Sequence, residues 1–358
     1  MIDSIEISGF KSFRKKKISL ANLTLLTGLN NSGKSSVIQS LRMYSAALSG
    51  KSPLLPGHGS VADIRSNFVS PSEQIVFRLC FKDSEIDQMI LSNSVVERPS
   101  KGPEFFYVGA DRLGPQSFLP LSLELDSTPK VGDRGEYVFD FIGRLNETGY
   151  LIPDALVHEQ AQGSAFEYVL RAWLSEISPG VDFSVELHRE ADISHAEIDS
   201  FRPANVGFGL SYTLPIIAAT LGAVADLPTL EAQSEWVENW ESRKRNNGVL
   251  LILENPEAHL HPQGQTAMGR MIALAAASGV QVIVETHSEH VMDGIRLAVK
   301  EKAISNELVK FLYFTKDANG ETSIEAPQLS KEGKIDFWPQ GFFDQTLKNR
   351  AELAKRTR

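Results

Sequence analysis

Apolar and polar positions alternate at the start of the chain. Ile5 and Ile7 stand among polar neighbours, the period of a half-buried strand. A basic run follows (Lys11, Arg14, Lys15, Lys16, Lys17), and Leu23–Thr27 is then apolar throughout, so the segment reads as strand, turn, strand. Beyond a glycine-rich loop, Val37, Leu41, Tyr44 and Leu48 recur at i, i+4, i+7 and i+11, placing one stripe on a helix that opens at Lys34. Residues 53–125 read as β-rich, with Gln74–Phe81 and Glu104–Gly109 as strands, and residues 126–204 as mostly helical around Phe166–Ile177. The stretch at 207–209 leads into a helix, followed by a polar, charged loop at 231–247. Two continuous apolar runs, Val249–Leu253 and Val280–Val284, bracket the helix-like Gly264–Ala277, and Val309–Phe314 predicts one more strand. Apolar runs joined by a helix are the mark of parallel strands buried on both faces. No repeat, low-complexity tract or long heptad run occurs.

The expected fold class is therefore α/β, with N- and C-terminal parts meeting in one core and a β lobe and a helical lobe inserted between them. A chain of 358 residues, 42% hydrophobic and 23% charged, buries a core of that size comfortably. The net charge of −9 argues against a surface coated for nucleic acid, leaving only local basic runs, the first above and Arg243–Lys244–Arg245. Both read as solvated turns. Cys80 is the single cysteine, which excludes an internal disulfide and suits a reducing, cytoplasmic setting. The N-terminus lacks the layout of a signal peptide. Pro203–Ala225 carries no charge, but its apolar part, Leu214–Ala225, is too short to span a bilayer and reads as a buried helix.

Gly28-Leu29-Asn30-Asn31-Ser32-Gly33-Lys34-Ser35 matches G-x-x-x-x-G-K-[ST], a pattern that a chain of this length shows by accident about one time in a hundred. A strand precedes it and an amphipathic helix follows. Glycines let the backbone aim N–H groups at phosphate oxygens, and the helix start adds favourable potential. Gly28, Asn30, Asn31, Ser32, Gly33, Lys34, Ser35 and Ser36 are thus the expected ATP-binding residues, with Lys34 on the phosphates and Ser35 on Mg²⁺. The metal needs a second anchor at the end of a buried strand, and Glu254, closing Val249–Leu253, fits.

The pattern Ile5, Ile7, Phe10-Lys11-Ser12-Phe13, then the loop, then Glu254-Asn255-Pro256-Glu257-Ala258-His259-Leu260-His261-Pro262, resembles the RecF, OLD and structural-maintenance-of-chromosomes branch of ABC ATPases. The resemblance covers residue 2 to about 290, and Trp338–Gln345 is similar to the tail of a bacterial subgroup. It implies a P-loop NTPase of ABC-type head architecture in one domain, residues 1–358. Within it, 1–52 would hold the strand hairpin and phosphate loop, 53–125 the β lobe, 126–204 the helical lobe, 205–316 the signature, acidic strand and switch histidine, and 317–358 a tail. It implies that His287, in Glu285-Thr286-His287-Ser288, senses the γ-phosphate. Gly207, Gly209 and Ser211 would form a diverged signature loop that caps the nucleotide of a partner subunit, giving an ATP-driven homodimer. It also implies a separately encoded effector or DNA as the recipient, in phage defence or DNA repair.

Asn255 departs from the branch, which carries a water-activating glutamate there. A positioned base is worth about 10²–10⁴-fold in rate, and an amide accepts no proton. Either Glu257 or Glu285 substitutes, or turnover is slow; slow turnover is the expectation. Glu257, His259 and His261 alternate as a metal set would, but the dimer-interface account of this segment takes precedence. An intrinsic nuclease of OLD type is disfavoured, since about 70 residues follow His287. A transporter's energising subunit and a small-molecule kinase fit the motifs less well.

Overall fold

The computed structural model describes residues 1–122, 128–180, 183–198, 208–228, 234–339, 341, 349–350 and 352–355. The predicted N-terminal alternation forms a hairpin, β1 (Ile2–Phe10) and β2 (Phe13–Ser19), whose tight end pairs the buried rings Phe10 and Phe13. β3 (Leu23–Gly28) follows and runs through the phosphate loop into α1 (Lys34–Leu48), whose buried residues include Val37, Leu41 and Tyr44 of the predicted stripe.

A short turn, α2 (Val61–Ile64), leads to β4 (Ile75–Phe81), β5 (Ile86–Leu91) and β6 (Val95–Glu97). These join the hairpin in an antiparallel sheet of order β2-β1-β4-β5-β6. The strand expected at 104–109 forms as β7 (Glu104–Val108), but in the central sheet rather than the inserted lobe. Next come β8 (Phe118–Pro120), α3 (Val138–Thr148), α4 (Phe166–Ile177), β9 (Phe183–His188) and β10 (Ile193–Ile198). The lobe expected to be mostly helical thus also holds a three-stranded sheet, β8-β10-β9. Its inward set, Phe183, Val185 and Leu187, alternates with polar residues and lies against α3.

α5 (Phe208–Val224) is the predicted buried helix, and among the described residues no helix is long and apolar enough to cross a membrane. The expected loop at 231–247 is instead largely α6 (Glu235–Asn247). Only Val237, Trp240 and Glu241 are buried, too few apolar positions to register as a period. Its ends carry the right charges, Glu235 and Glu238 first, Lys244 and Arg245 last. The second basic run is neutralised residue by residue: Arg243 on Glu104 (2.8 Å), Lys244 on Glu241 (2.7 Å) and Arg245 near Asp226 (4.0 Å).

β11 (Val249–Glu254), α7 (Pro262–Ala277), β12 (Gln281–Glu285), α8 (Glu289–Lys300), β13 (Val309–Lys316) and β14 (Thr322–Glu325) complete the chain. The central sheet has the order β14-β13-β3-β12-β11-β7, parallel except at β14. Its apolar runs feed two cores. Leu26, Leu250, Ile252 and Ile283 face α1 and the antiparallel sheet, while Leu25, Leu251, Leu253 and Val284 face α3, α4, α5, α7 and α8. Burying both faces requires runs without alternation, which is what the sequence holds.

Candidate functional site

The phosphate loop is held from below by backbone that leaves no room for side chains. Gly28 has φ 135°, and a Cβ there would lie 2.2 Å from the Phe314 carbonyl oxygen of β13. Gly33, with φ 111°, caps α1; a Cβ would meet Thr322 Oγ1 at 2.5 Å. Both conformations favour glycine. Thr322, on β14, donates its hydroxyl to the Ser32 carbonyl (2.9 Å) and lies 2.7 Å from Ser12 Oγ. The loop is thereby tied to both the first hairpin and the last strand.

α1 opens without a side-chain cap and without an acidic residue in its first turn, the condition that suits an anion. Ser32 Oγ is buried without a hydrogen-bond partner. Lys34 is buried, its Nζ donating to the carbonyls of Gly28 (3.0 Å) and Leu29 (2.9 Å). A cavity of about 350 Å³ stands over these groups, walled by Lys11, Asn31, Ser35, Phe68 and Lys316 among others. Ser36 lines it too, whereas Phe68 and Lys316 come from segments that carry no motif. A larger cleft, about 560 Å³, runs along β7 and holds none of the predicted site residues.

Glu254 and Glu285 end adjacent parallel strands in register with each other, and β12 lies between β3 and β11. The carboxylate nearest the loop is consequently Glu285. It accepts from Ser35 Oγ (3.1 and 3.3 Å) and lies 3.8 Å from Lys34 Nζ. Glu254, one strand further, accepts from Tyr107 of β7 at 3.0 Å, and that tyrosine also contacts Arg42. Burial raises the pKa of both acids. For Glu285, burial and then the charge of Glu254 outweigh Lys34 and push it to about 7. Lys34 is lowered by burial, against the pull of Glu285.

Asn255 sits at φ 45°, at the turn after β11. The buried Arg112, which the sequence reading missed, fixes this turn by donating to the carbonyls of Glu254 (2.7 Å) and Asn255 (2.6 Å). Glu257 accepts from Thr286 Oγ1 (2.7 Å), the His287 backbone N–H (2.8 Å) and Asn255 Nδ2 (3.4 Å). It therefore links the turn after β11 to the Thr286–His287 segment. His287 is exposed, its pKa lowered by partial desolvation and then by Lys34.

The glycine-bearing segment stands elsewhere. Gly207 lies outside the described residues. Gly209 opens a cavity of about 390 Å³ with Leu210, His259 and His261, and the ring of Tyr212 packs on His259 at 4.4 Å. α5 begins at Phe208, so Ser211 falls within its first turn, and it lines a small cavity with Leu113, Gln116 and Pro215. Glu257, His259 and His261 do not bring their donors together for one ion among the described residues. Of the Trp338–Gln345 tail, Trp338 is exposed with Arg296 over its ring at 5.7 Å, while Gln340 and residues 342–345 lie outside the described residues.

The fold is similar to the Smc head bound to the C-terminal winged-helix domain of ScpA (14% identity, 92% of this chain and 98% of that chain, TM-score 0.47). It is similar also to the SMC head domain from Thermotoga maritima (14%, 92% and 99%, TM-score 0.44). A third is the Smc head with an extended coiled coil bound to the C-terminal domain of ScpA, derived from Pyrococcus furiosus (12%, 99% and 99%, TM-score 0.44). No curated protein matches the chain. Residues 304–353 match a family described only as "Protein of unknown function (DUF3696)". Residues 23–293, from β3 through His287 into α8, match the family described as "AAA domain, putative AbiEii toxin, Type IV TA system". The chain, an α/β fold that carries the G-x-x-x-x-G-K-S loop between β3 and α1, belongs to this family of AAA domains.

Proposed function

We propose that the protein is an ATP-driven switch that binds ATP with Mg²⁺ at the phosphate loop, pairs with a second copy when loaded, and hydrolyses slowly. The observation that carries the reading is the cluster of Ser35 Oγ, Lys34 Nζ and the Glu285 carboxylate, 3.1–3.8 Å apart at the uncapped start of α1. The unpartnered Ser32 hydroxyl and the two positive-φ glycines fit a phosphate cradle. Ser35, Glu285 and Glu254 are hard oxygen donors of the kind that hold Mg²⁺. When bound, the ion neutralises charge building on the phosphates. Lys34 would leave the carbonyls of Gly28 and Leu29 for phosphate oxygens.

Slow turnover follows from how the acids are committed. Asn255 takes no proton. Glu257 accepts three hydrogen bonds and orients the His287 segment rather than a water. Glu285 has the pKa of a base poised at neutral pH, but a carboxylate holding the ion is a poor proton acceptor. His287 then reads the γ-phosphate.

Pairing is supported by placement. α1 packs on one face of the central sheet and α5 on the other. Gly209 and Ser211 would thus serve the nucleotide of a second copy, together with Gly207. Leu29, 59% exposed at the loop's tip, would be covered in the pair. A separately encoded effector would receive the movement, in keeping with the toxin–antitoxin wording of the family description. DNA is the alternative recipient, along Arg14, Lys15 and Lys17, which are exposed on β2. The single cysteine suits the cytoplasm.

Light scattering with and without Mg–ATP, on wild type and on Glu254→Gln, tests the reading. The account expects the mass to double with ATP, most completely in the variant, and phosphate release below about 1 per second. A monomer at saturating ATP contradicts the pairing. Turnover of order 10 per second that survives Glu257→Gln with Glu285→Gln contradicts the assignment of the acids.

A further inference from the structure

The three-stranded sheet β8-β10-β9 turns one face inward and the other to solvent. Because side chains alternate along a strand, Glu186 and His188 of β9 point to the same outer side. The turn at 189–192 returns the chain so that His195 of β10 pairs opposite Glu186, while His188 pairs opposite Ile193. Residues opposite one another in an antiparallel pair share a face, so register alone gathers two imidazoles and a carboxylate. One ligand atom from each lies within 4.8 Å of the other two, and His188 Nε2 stands 3.9 Å from Glu186 Oε2.

We infer that this outer face binds a divalent transition-metal ion, Zn²⁺, through Glu186, His188 and His195, with water completing the coordination. Two imidazoles and a carboxylate are a ligand set zinc accepts, and tetrahedral bonds of about 2.0–2.1 Å need donors roughly 3.4 Å apart. Glu186 and His188 are exposed, so rotation of their side chains closes the remaining gap without moving backbone. His195 is half-buried, its ring held 5.3 Å from that of Phe118 on the neighbouring strand, which orients the least mobile ligand. The cation that would compete, Arg189 in the adjoining turn, is paired with Glu147 instead. Ion binding here clasps β9 to β10 and is independent of the nucleotide site: none of the three residues belongs to the phosphate loop, the acidic strand ends or the switch segment.

The test uses the full chain stripped of metal with a chelator, in excess Mg²⁺ so that the phosphate-site acids are occupied. Titration calorimetry with Zn²⁺ should give one ion per chain. His188→Ala, His195→Ala and Glu186→Gln should each weaken uptake by about tenfold or more, with unchanged circular dichroism and ATP binding. The double variant His259→Ala, His261→Ala should bind as wild type does. Cobalt added to that double variant should give the visible absorption of a low-symmetry nitrogen–oxygen site, a reading that needs no change to the proposed ligands. The inference is overturned if no Zn²⁺ is taken up. It is equally overturned if uptake survives His188→Ala with His195→Ala, or disappears with His259 and His261.

Discussion

Among the described residues two lysine–glutamate pairs are buried, and they are built in opposite ways. Lys244 and Glu241 meet at 2.7 Å. The ammonium also donates to the Ala225 carbonyl (2.6 Å) and lies 4.5 Å from the ring of Trp240, and Glu241 accepts from Tyr150 at 3.1 Å. Lys34 and Glu285 are almost as buried but stand 3.8 Å apart, and a second carboxylate, Glu254, crowds Glu285. A buried ion pair with its remaining hydrogen bonds made has nothing further to bind. A loose one, with surplus negative charge and an uncapped helix start beside it, suits the proposed site: a metal ion for the acids, and phosphate for the lysine in place of the carbonyls of Gly28 and Leu29. The difference separates a structural pair from a functional one.

The largest effect should come from breaking the closed pair. Glu241→Ala should lower unfolding free energy by about 3–5 kcal/mol, since Lys244 is left charged and buried. Urea denaturation reads it, and a loss under about 1 kcal/mol would make the two pairs alike. The open pair should instead respond to pH. Glu285 holds its proton to about 7 in the folded protein against 4.5 for the free side chain. Between those values the folded state binds more protons than the unfolded one, so stability falls as pH rises, by roughly 3 kcal/mol in all. Glu285→Gln should flatten that slope in thermal melts between pH 5 and 8, and Mg–ATP should offset it in wild type. Smaller again is Thr322→Val. It removes the hydroxyl bonds to Ser32 and Ser12, costs about 1 kcal/mol, and should weaken ATP binding several-fold by loosening the loop.

Much of this site is legible in the sequence, for a stated reason. The phosphate loop is local: strand, glycine turn and helix start lie within 15 consecutive residues or so, and their spacing is the chemistry. The apolar runs at 249–253 and 280–284 likewise announce parallel strands. What was hidden depends on sheet order. That β12 stands between β3 and β11 decides that Glu285 meets Ser35 while Glu254 turns to Tyr107, and no spacing along the chain encodes that neighbour relation. Arg112 and Thr322 act on backbone carbonyls, so no motif marks them. α6 hid behind its charged surface. β9 is readable, since Phe183, Val185 and Leu187 alternate with polar residues, but so short a period-2 run is outweighed by the longer helical pattern of Phe166–Ile177 before it.

The account rests on the open pair being a nucleotide site, and Lys34→Ala tests this most directly. Without Lys34, Glu285 can take up a proton, so the variant should fold within about 1 kcal/mol of wild type. Titration calorimetry with Mg–ATP should then show binding to wild type and a loss of about 100-fold or more in Lys34→Ala, on the order of a charge-assisted contact to phosphate. A folded Lys34→Ala protein that binds Mg–ATP as tightly as its parent contradicts the account.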